Sequence, residues 1–256
     1  MSSFDGAVID YSIEGDGDLS LLFVHGWSCN RRFFQPQVEH FSSSFHCLAP
    51  DLPGRDSVSS GKREWNISTY AEDIACLIDK AVPGQVVLIG HSMAGAVVLE
   101  AAALRPAKVA AVVMADTHVF DYGHLDEVTI SGFLEPMQSD LDGFIRGLVE
   151  TTVSSQTPRG LVQWISSQMS GGNLESALPA FEALLRWDAL PCMQTLEMPV
   201  IAIHSGLISG QAMRRYARFI KSYALADTGH FLQLENADGF NRLLRQSLVE
   251  TGVLAS

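Results

Sequence analysis

The sequence contains little cysteine, with four residues in a chain of 256, and no two of them form a Cys-x-x-Cys pair. None of the four, which are Cys29, Cys47, Cys76 and Cys192, stands at a spacing from histidine that suggests a metal site. A chain of this length buries enough apolar surface to fold without disulfides. We therefore predict four free thiols and no metal, and nothing in the sequence implies an organic cofactor.

Long apolar runs and basic residues are also scarce. No run reaches the roughly 18 apolar residues that a membrane-spanning helix needs, and the first ten residues lack a signal-peptide pattern. The 17 basic residues are outnumbered by 29 acidic ones, giving a formal net charge of −12. This charge disfavours nucleic acid and anionic membranes as partners. We expect a cytoplasmic protein with a small-molecule substrate, and a homodimer is left open.

Short apolar runs are present, and they alternate with helical patterns. Continuous β-branched runs such as Val86 to Ile89 suit parallel strands that are buried on both faces. A helical spacing covers Ile67 to Val82, with Asn66 or Ser68 as its cap and Pro83-Gly84 as its stop. This alternation predicts a mostly parallel, doubly wound α/β sheet. The weak alternation from Phe4 to Ile13 predicts an antiparallel hairpin at its edge.

The alternation stops between about Phe120 and Cys192, where only helical patterns occur. Strand patterns then return, with a helix predicted from Gly210 to Lys221 and a final one from Glu235 to Thr251. We therefore predict a single domain over residues 1–256 with a helical cap inserted at about 120–192. The helices predicted within this insertion are Glu127–Met137, Asp140–Val153, Pro158–Met169 and Leu174–Leu185.

A candidate nucleophile stands where the third apolar run meets a helix. Residues 87–95 read Val-Leu-Ile-Gly-His-Ser-Met-Ala-Gly, so that Ser92 follows a buried strand directly. A serine on such a tight turn needs small residues two positions to either side, because the strand and helix crowd there. Gly90 meets this need upstream, and Ala94 replaces the more usual glycine downstream. We predict that Ser92 projects from the carboxyl edge of the sheet as the nucleophile.

Four motifs together resemble those of the α/β-hydrolase superfamily over nearly the whole chain. They are His25-Gly26-Trp27, Asp51-Leu52-Pro53-Gly54-Arg55, Gly90-His91-Ser92-Met93-Ala94-Gly95 and Thr228-Gly229-His230-Phe231. The resemblance implies an α/β-hydrolase fold and a serine hydrolase or esterase-like activity through an acyl-enzyme. It does not name a substrate, because this fold hosts many reactions.

A serine hydroxyl needs a base to become a nucleophile at neutral pH. Among eight histidines, His230 follows a short predicted strand near the end of the chain. The resemblance implies the chain order serine, acid, histidine, which His230 fits. It also implies that the backbone N–H groups of Trp27 and Met93 form the oxyanion hole. The N–H of Met93 would lie at a helix N-terminus, where partial positive charge stabilises an oxyanion.

The triad acid is absent from the position that many superfamily members use. That position holds Ser209, and no carboxylate occurs between Val200 and Ala226. Asp116 ends the strand that follows the nucleophile helix, and a subset of the superfamily places its acid there. We predict Asp116 as the acid, with Asp121, Asp227 or a serine–histidine dyad without an acid as alternatives.

The aromatic residues of the predicted cap suggest an apolar pocket. We expect most of them to form the cap's core, with Trp164, Phe133 and Trp27 as candidates for lining the pocket. His25 is a further tentative substrate contact, although a structural role fits it better. A small, fairly apolar ester, amide, lactone or thioester is the simplest substrate.

Three alternatives to this function remain open. One is hydrolysis of a carbon–carbon bond, and another is the cofactor-free ring-cleaving dioxygenase chemistry of hydroxy-oxo-quinolines. The dioxygenase branch has extra histidines at the places that Cys29 and Met93 occupy here. The third alternative is a non-catalytic ligand receptor, which would have no need of an intact serine and histidine.

Overall fold

The computed structural model describes residues 1–54 and 64–255, and within them a seven-stranded sheet forms the centre of the molecule. The strands lie in the order β1-β3-β2-β4-β5-β6-β7, and only β1 runs antiparallel to its neighbour. The prediction of a mostly parallel α/β sheet is therefore confirmed. The strands are β1 (Tyr11–Glu14), β2 (Ser20–Val24), β3 (His46–Pro50), β4 (Val86–His91), β5 (Val109–Ala115), β6 (Val200–His204) and β7 (Ile220–Ala224).

Helices cover both faces of this sheet, which explains why its central strands carry apolar residues without alternation. Every residue of β2 and β4 is buried. The helices are α1 (Gln35–Phe41), α2 (Ile67–Ala81), α3 (Met93–Leu104), α4 (Glu127–Ser139), α5 (Leu141–Thr152), α6 (Arg159–Met169), α7 (Leu174–Leu185), α8 (Leu190–Met193), α9 (Gly210–Tyr216), α10 (Leu232–Glu235) and α11 (Ala237–Glu250). Helices α2 and α3 contribute to the core on one face, and α1 and α11 to the core on the other.

Helices α4 to α8 all lie between β5 and β6, in the region where the sequence predicts an insertion. The four predicted helices of this region are confirmed to within two residues at each end. Three of these helices begin at a side chain that accepts a backbone hydrogen bond: Asp126 from Thr129, Asp140 from Gly143 and Asn173 from Glu175. Asn66 is the cap of α2, since its side chain accepts from the Thr69 N–H at 2.8 Å.

Three element boundaries differ from the prediction. Helix α9 ends at Tyr216 rather than Lys221, because Ile220 is already paired with Val200 at the start of β7. The final helix begins at Ala237, after the separate short helix α10. The amino-terminal edge is antiparallel as predicted, but β1 begins only at Tyr11 and pairs with β3.

The connections of the sheet place a crevice at the carboxyl ends of β2 and β4. The chain leaves β2 for β3 on one side, and then crosses to β4 on the other side. In open α/β sheets, ligands bind outside the carboxyl ends of the strands where the strand order reverses in this way. The loop of Gly26 and Trp27 follows β2 and Ser92 follows β4, so both border this crevice.

Two further sequence predictions concern the whole chain. None of the four cysteines forms a disulfide within the described residues, as predicted, and Cys29 and Cys47 are buried. Within the described ranges, we find no helix whose length and apolar character would let it cross a bilayer.

Candidate active site

Ser92 occupies a strained turn between β4 and α3. Its backbone has φ 55° and ψ −121°, a region that non-glycine residues rarely adopt and that is often found at functional sites. Its N–H donates to the carbonyl of Ala115 at 2.9 Å, which anchors the turn to β5. A side chain at Gly90 would overlap the backbone of Ala94, so the upstream glycine is required for packing.

The departure from the usual motif at Ala94 also has a structural explanation. Ala94 is buried and its methyl group is accommodated, whereas a side chain at Gly95 would overlap Thr117. The crowded positions around the serine are therefore Gly90 and Gly95. The shift of the second glycine by one residue preserves the same tight turn.

Three side chains from distant parts of the sequence form a continuous hydrogen-bond chain. Ser92 Oγ lies 2.9 Å from His230 Nε2, and His230 Nδ1 lies 2.8 Å from Asp116 Oδ2. Because a carboxylate only accepts, Nδ1 carries the proton and Nε2 is left to accept from the serine hydroxyl. The structure thus brings together the three residues that the sequence nominates, in the arrangement that serine nucleophiles require.

Asp116 reaches His230 because β5 and β6 are neighbours. Ala115 pairs with Ile203, and the Asp116 N–H donates to the Ile203 carbonyl at 2.9 Å. The second carboxylate oxygen, Oδ1, accepts from the Ser205 N–H at 2.7 Å. Burial would raise the pKa of this carboxyl, but the hydrogen bond and charge of His230 and the Ser205 N–H outweigh it and lower the pKa. Asp116 is therefore ionised at neutral pH.

The other candidate acids lie elsewhere. Asp121 forms an ion pair with Arg215 at 3.0 Å, and Asp227 is exposed to solvent. Ser209, at the position where many superfamily members carry the acid, instead caps α9 by accepting from the Ala212 N–H at 3.3 Å. Within the described residues, only Asp116 combines burial with a hydrogen bond to His230.

The loop after β2 packs directly against the nucleophile turn. A Cβ atom added to Gly26 would lie 3.1 Å from the Ser92 Cβ and 3.1 Å from the His91 carbonyl oxygen, so glycine permits this approach. Within residues 1–54 and 64–255, the backbone N–H groups of Trp27 and Met93 have no protein acceptor. Both are thus available to a ligand, and their role as oxyanion donors remains a prediction.

His25 holds this loop in place and does not line the cavity beside Ser92. Its Nδ1–H donates to the Gly26 carbonyl at 2.9 Å, and its Nε2 accepts from the Leu52 N–H at 2.9 Å. Because both ring nitrogens serve the backbone, the structural interpretation fits better than the tentative substrate contact. Leu52 belongs to the second sequence motif, whose last residue, Arg55, lies outside the described residues.

An apolar cavity opens beside Ser92 and His230. None of its described lining residues is lysine, arginine, aspartate or glutamate. This composition favours an uncharged, apolar ligand group. Trp27, which the sequence analysis predicts as a pocket residue, lines this cavity together with Cys29 on the side of the loop after β2. The rest of the wall includes Val119, Phe120, Leu148, Met169, Phe181 and Leu184.

The structure leaves two predicted pocket residues outside the cavity wall. Phe133 lies behind it, with its ring centroid 5.1 Å from that of Phe120. Trp164 packs on Phe33 with a centroid distance of 5.1 Å and lies near the Arg32 guanidinium. Both residues lie on helices inserted between β5 and β6, but helical spacing carries no information on which member of an aromatic cluster reaches a ligand.

His91 is a second histidine beside the nucleophile, with its ring centroid 4.8 Å from that of His230. Its Nε2–H donates to the His230 backbone carbonyl at 2.8 Å. Burial, together with the neighbouring His230, lowers the pKa of His91 to about 3. His91 is therefore neutral at physiological pH and fixes the backbone of the base.

His118 is a buried histidine that lies outside the hydrogen-bond chain. Its ring stacks on Tyr216 with a centroid distance of 4.9 Å, and neither ring nitrogen has a partner within the described part of the chain. Burial lowers the pKa of His118 to about 4, from 6.5 for an exposed histidine. Between these two pH values the unfolded chain binds a proton that the folded chain excludes, so stability falls as the pH falls.

We expect His118→Phe to weaken this pH dependence. Between pH 7 and pH 5, the wild type should lose about 2 kcal/mol more of its free energy of unfolding than the variant. Urea denaturation at both pH values measures this, and a constant packing effect of phenylalanine cancels because each protein is compared with itself. Equal losses in the two proteins would contradict the assignment.

Known proteins resemble this chain in sequence and in fold. The model of the alpha/beta hydrolase family matches residues 21–243 of the chain. The lipase LipV of Mycobacterium tuberculosis is 35% identical over 103 residues, which cover 40% of this chain and 39% of that protein. The pimeloyl-[acyl-carrier protein] methyl ester esterase of Neisseria meningitidis serogroup B is 25% identical over 254 residues, covering 93% of this chain and 95% of that protein.

A similar solved structure is the esterase EaEST from Exiguobacterium antarcticum. It superimposes with a TM-score of 0.86 at 18% sequence identity, and the match covers 97% of this chain and 98% of that chain. At this identity the likeness shows a shared fold.

Proposed function

This chain belongs to the alpha/beta hydrolase family and is an enzyme of that fold, and we propose that it works as a serine hydrolase. Its substrate would be a small, fairly apolar ester, amide, lactone or thioester. The observation that carries the proposal is the hydrogen-bond chain from Ser92 through His230 to Asp116 at the wall of an apolar cavity.

In the first half of this mechanism, Ser92 Oγ attacks the carbonyl carbon while its proton passes to His230 Nε2. The ionised Asp116 stabilises the imidazolium that forms and keeps its Nδ1–H in place. The negative charge on the carbonyl oxygen would be stabilised by the N–H groups of Trp27 and Met93. One such donor typically contributes about 3 kcal/mol to lowering the barrier.

In the second half, the tetrahedral intermediate collapses and the proton on His230 moves to the leaving alcohol, amine or thiol. The acyl group then remains on Ser92 Oγ. Water attacks this acyl-enzyme, with His230 accepting the water proton and returning it to the serine. No metal or organic cofactor enters these steps.

Helices α5 to α7 would act as the cap that selects the acyl group. Leu148, Met169 and Phe181 are contributed to the cavity wall by these three helices. Since no charged side chain is among the described lining residues, a neutral apolar acyl group is the best fit. We further propose that the protein acts in the cytoplasm on a small molecule, with no nucleic acid or membrane partner.

The alternatives make different predictions about this site. Dioxygenase chemistry would need oxygen, and the extra histidines of that branch are replaced by Cys29 and Met93. Carbon–carbon hydrolysis would use the same three residues on a different substrate. A non-catalytic receptor is disfavoured, because the matched relatives named above are a lipase and an esterase.

The decisive experiment is labelling with a fluorophosphonate, followed by peptide mapping. Ser92 Oγ should displace fluoride from phosphorus at a rate that depends on His230. The adduct should be found on Ser92 alone, and the labelled protein should no longer hydrolyse p-nitrophenyl esters. Absence of an adduct on Ser92 in folded protein would refute the serine mechanism, and activity that requires oxygen would favour the dioxygenase.

The cavity predicts a preference for apolar acyl chains. Across p-nitrophenyl acetate, butyrate and hexanoate, we expect kcat/KM to rise about fourfold per methylene until the wall is reached, since each buried methylene contributes about 0.8 kcal/mol. Leu148→Phe should shift the preference to shorter chains, because Leu148 lines the cavity. Leu104→Phe, at an exposed position, is the matched control. An unchanged profile in Leu148→Phe would contradict this use of the cavity.

A further inference from the structure

One carboxylate outside the hydrogen-bond chain holds the loop that carries His230. Glu235 ends helix α10, and its Oε1 accepts from the Phe231 N–H at 3.1 Å. Its Oε2 accepts from the Gly229 N–H at 3.0 Å. The two N–H groups that flank His230 in sequence are thus bonded to the two oxygens of the same side chain.

The same carboxylate also binds the segment that connects two of the inserted helices. Glu235 Oε2 accepts from the Ser154 N–H at 2.9 Å and from the Thr157 hydroxyl at 2.6 Å. Ser154 and Thr157 belong to the segment between α5 and α6. Glu235 therefore joins the base loop to the proposed cap through four hydrogen bonds.

The backbone of His230 itself completes this connection. Its N–H donates to the carbonyl of Thr152, the last residue of α5, at 2.7 Å, and its carbonyl accepts from His91. A side chain at Gly229 would overlap Thr152 and Ser154, so the loop and the end of α5 are in close contact. The position of the imidazole relative to Ser92 thus depends on how the segment after α5 is docked.

We propose that Glu235 is a positioning residue that couples the docking of segment 154–157 to the alignment of His230 with Ser92. The proposal rests on the serine mechanism above and adds a link between the cap and the base. A displacement of a reacting group by about 1 Å can lower the rate by about 10²-fold. The carboxylate is suited to this task because both of its oxygens accept hydrogen bonds, whereas a glutamine offers one accepting oxygen and one donating amide.

The test compares Glu235→Gln with Glu150→Gln in the full-length protein. Glu150 is an exposed glutamate near the end of helix α5, the helix that precedes segment 154–157. Its carboxylate pairs with Arg159 at 3.0 Å. We expect Glu235→Gln to lower kcat and the fluorophosphonate labelling rate by about 10²-fold. KM should change by less than about threefold, because the groups that bind substrate stay in place. Glu150→Gln should keep the wild-type rates, since exposed ion pairs contribute little.

Thr157→Val provides a second, milder variant. It removes only the hydroxyl bond between the inserted segment and Glu235, and leaves the bonds to the base loop intact. We expect kcat to fall by about threefold to tenfold, because one hydrogen bond to a charged group is lost. The same loss should lower the thermal midpoint by only several degrees, so that the variant stays folded in the assay. This variant keeps the proposal testable if Glu235→Gln does not fold.

The outcomes separate the two proposals. If wild-type Ser92 is labelled and folded Glu235→Gln reacts at the wild-type rate, the positioning role is refuted and the serine mechanism stands. Wild-type kcat in Thr157→Val would likewise refute the coupling. If wild-type Ser92 is not labelled, the serine mechanism fails and the role of Glu235 fails with it.

Discussion

Ser92→Ala is expected to lower kcat for p-nitrophenyl ester hydrolysis by about 10⁶-fold, the loss seen when a serine nucleophile of a triad is removed. Alanine keeps the Cβ atom but lacks the hydroxyl that lies 2.9 Å from His230 Nε2. No acyl-enzyme can then form at this position. Steady-state assays together with mass spectrometry of the trapped acyl-enzyme measure the effect.

The fold should survive this substitution, because the turn at residue 92 depends on backbone bonds. The Ser92 N–H to Ala115 carbonyl bond does not involve the side chain. The thermal midpoint and circular dichroism of Ser92→Ala serve as the control. A folded variant that keeps more than about 1% of wild-type kcat would show that Ser92 is not the nucleophile, since this residual is far above that of triad knockouts.

Asp116→Asn is expected to lower kcat by about 10⁴-fold at pH 7. An asparagine at this position can accept from the Ser205 N–H with its oxygen and then faces His230 Nδ1 with its amide donor. The imidazole would then carry its proton on Nε2, where it can no longer accept from Ser92. Rates measured from pH 6 to pH 9 with a p-nitrophenyl ester test this.

Asp227→Asn is the matched control for Asp116→Asn. Both aspartates have a positive φ, 50° at Asp116 and 61° at Asp227, and asparagine tolerates that conformation as well as aspartate does. The two substitutions are therefore made at similar values of φ, but Asp227 is exposed and has no hydrogen bond to His230. A loss below about tenfold in folded Asp116→Asn, against the ~10⁴-fold precedent for a triad acid, would remove Asp116 from the mechanism.

The sequence was most informative where one physical requirement determines the residue type. The buried strands β2 and β4 were predicted because a strand covered on both faces carries apolar residues throughout. Ser92 was predicted from its tight strand-to-helix turn, and His230 from the chain order that the resemblance to the α/β-hydrolase superfamily implies. Asp116 was predicted because the usual acid position is occupied by Ser209, and the adjacency of β5 and β6 explains why the substitute reaches His230.

The cavity wall and the role of Glu235 could not be predicted in the same way. Phe133 and Phe181 have the same helical character, and only the packing of α4 against α7 puts Phe181 at the cavity and Phe133 behind it. The bonds of Glu235 to Ser154 and Thr157 cross about 80 positions of sequence, the separations being 81 and 78. The residues next to Glu235 in the sequence form no pattern that predicts these hydrogen-bond partners.

The bond between Ser92 and His230 joins residues that are 138 positions apart, and its partner Asp116 comes from a third part of the chain. The nucleophile and its acid therefore precede the base in the sequence by 138 and 114 positions. A nascent chain or a proteolytic fragment that ends before residue 230 would have the serine but no base to activate it. Turnover thus reports the fraction of molecules that are full-length and natively assembled, which makes ester hydrolysis a direct assay of refolding.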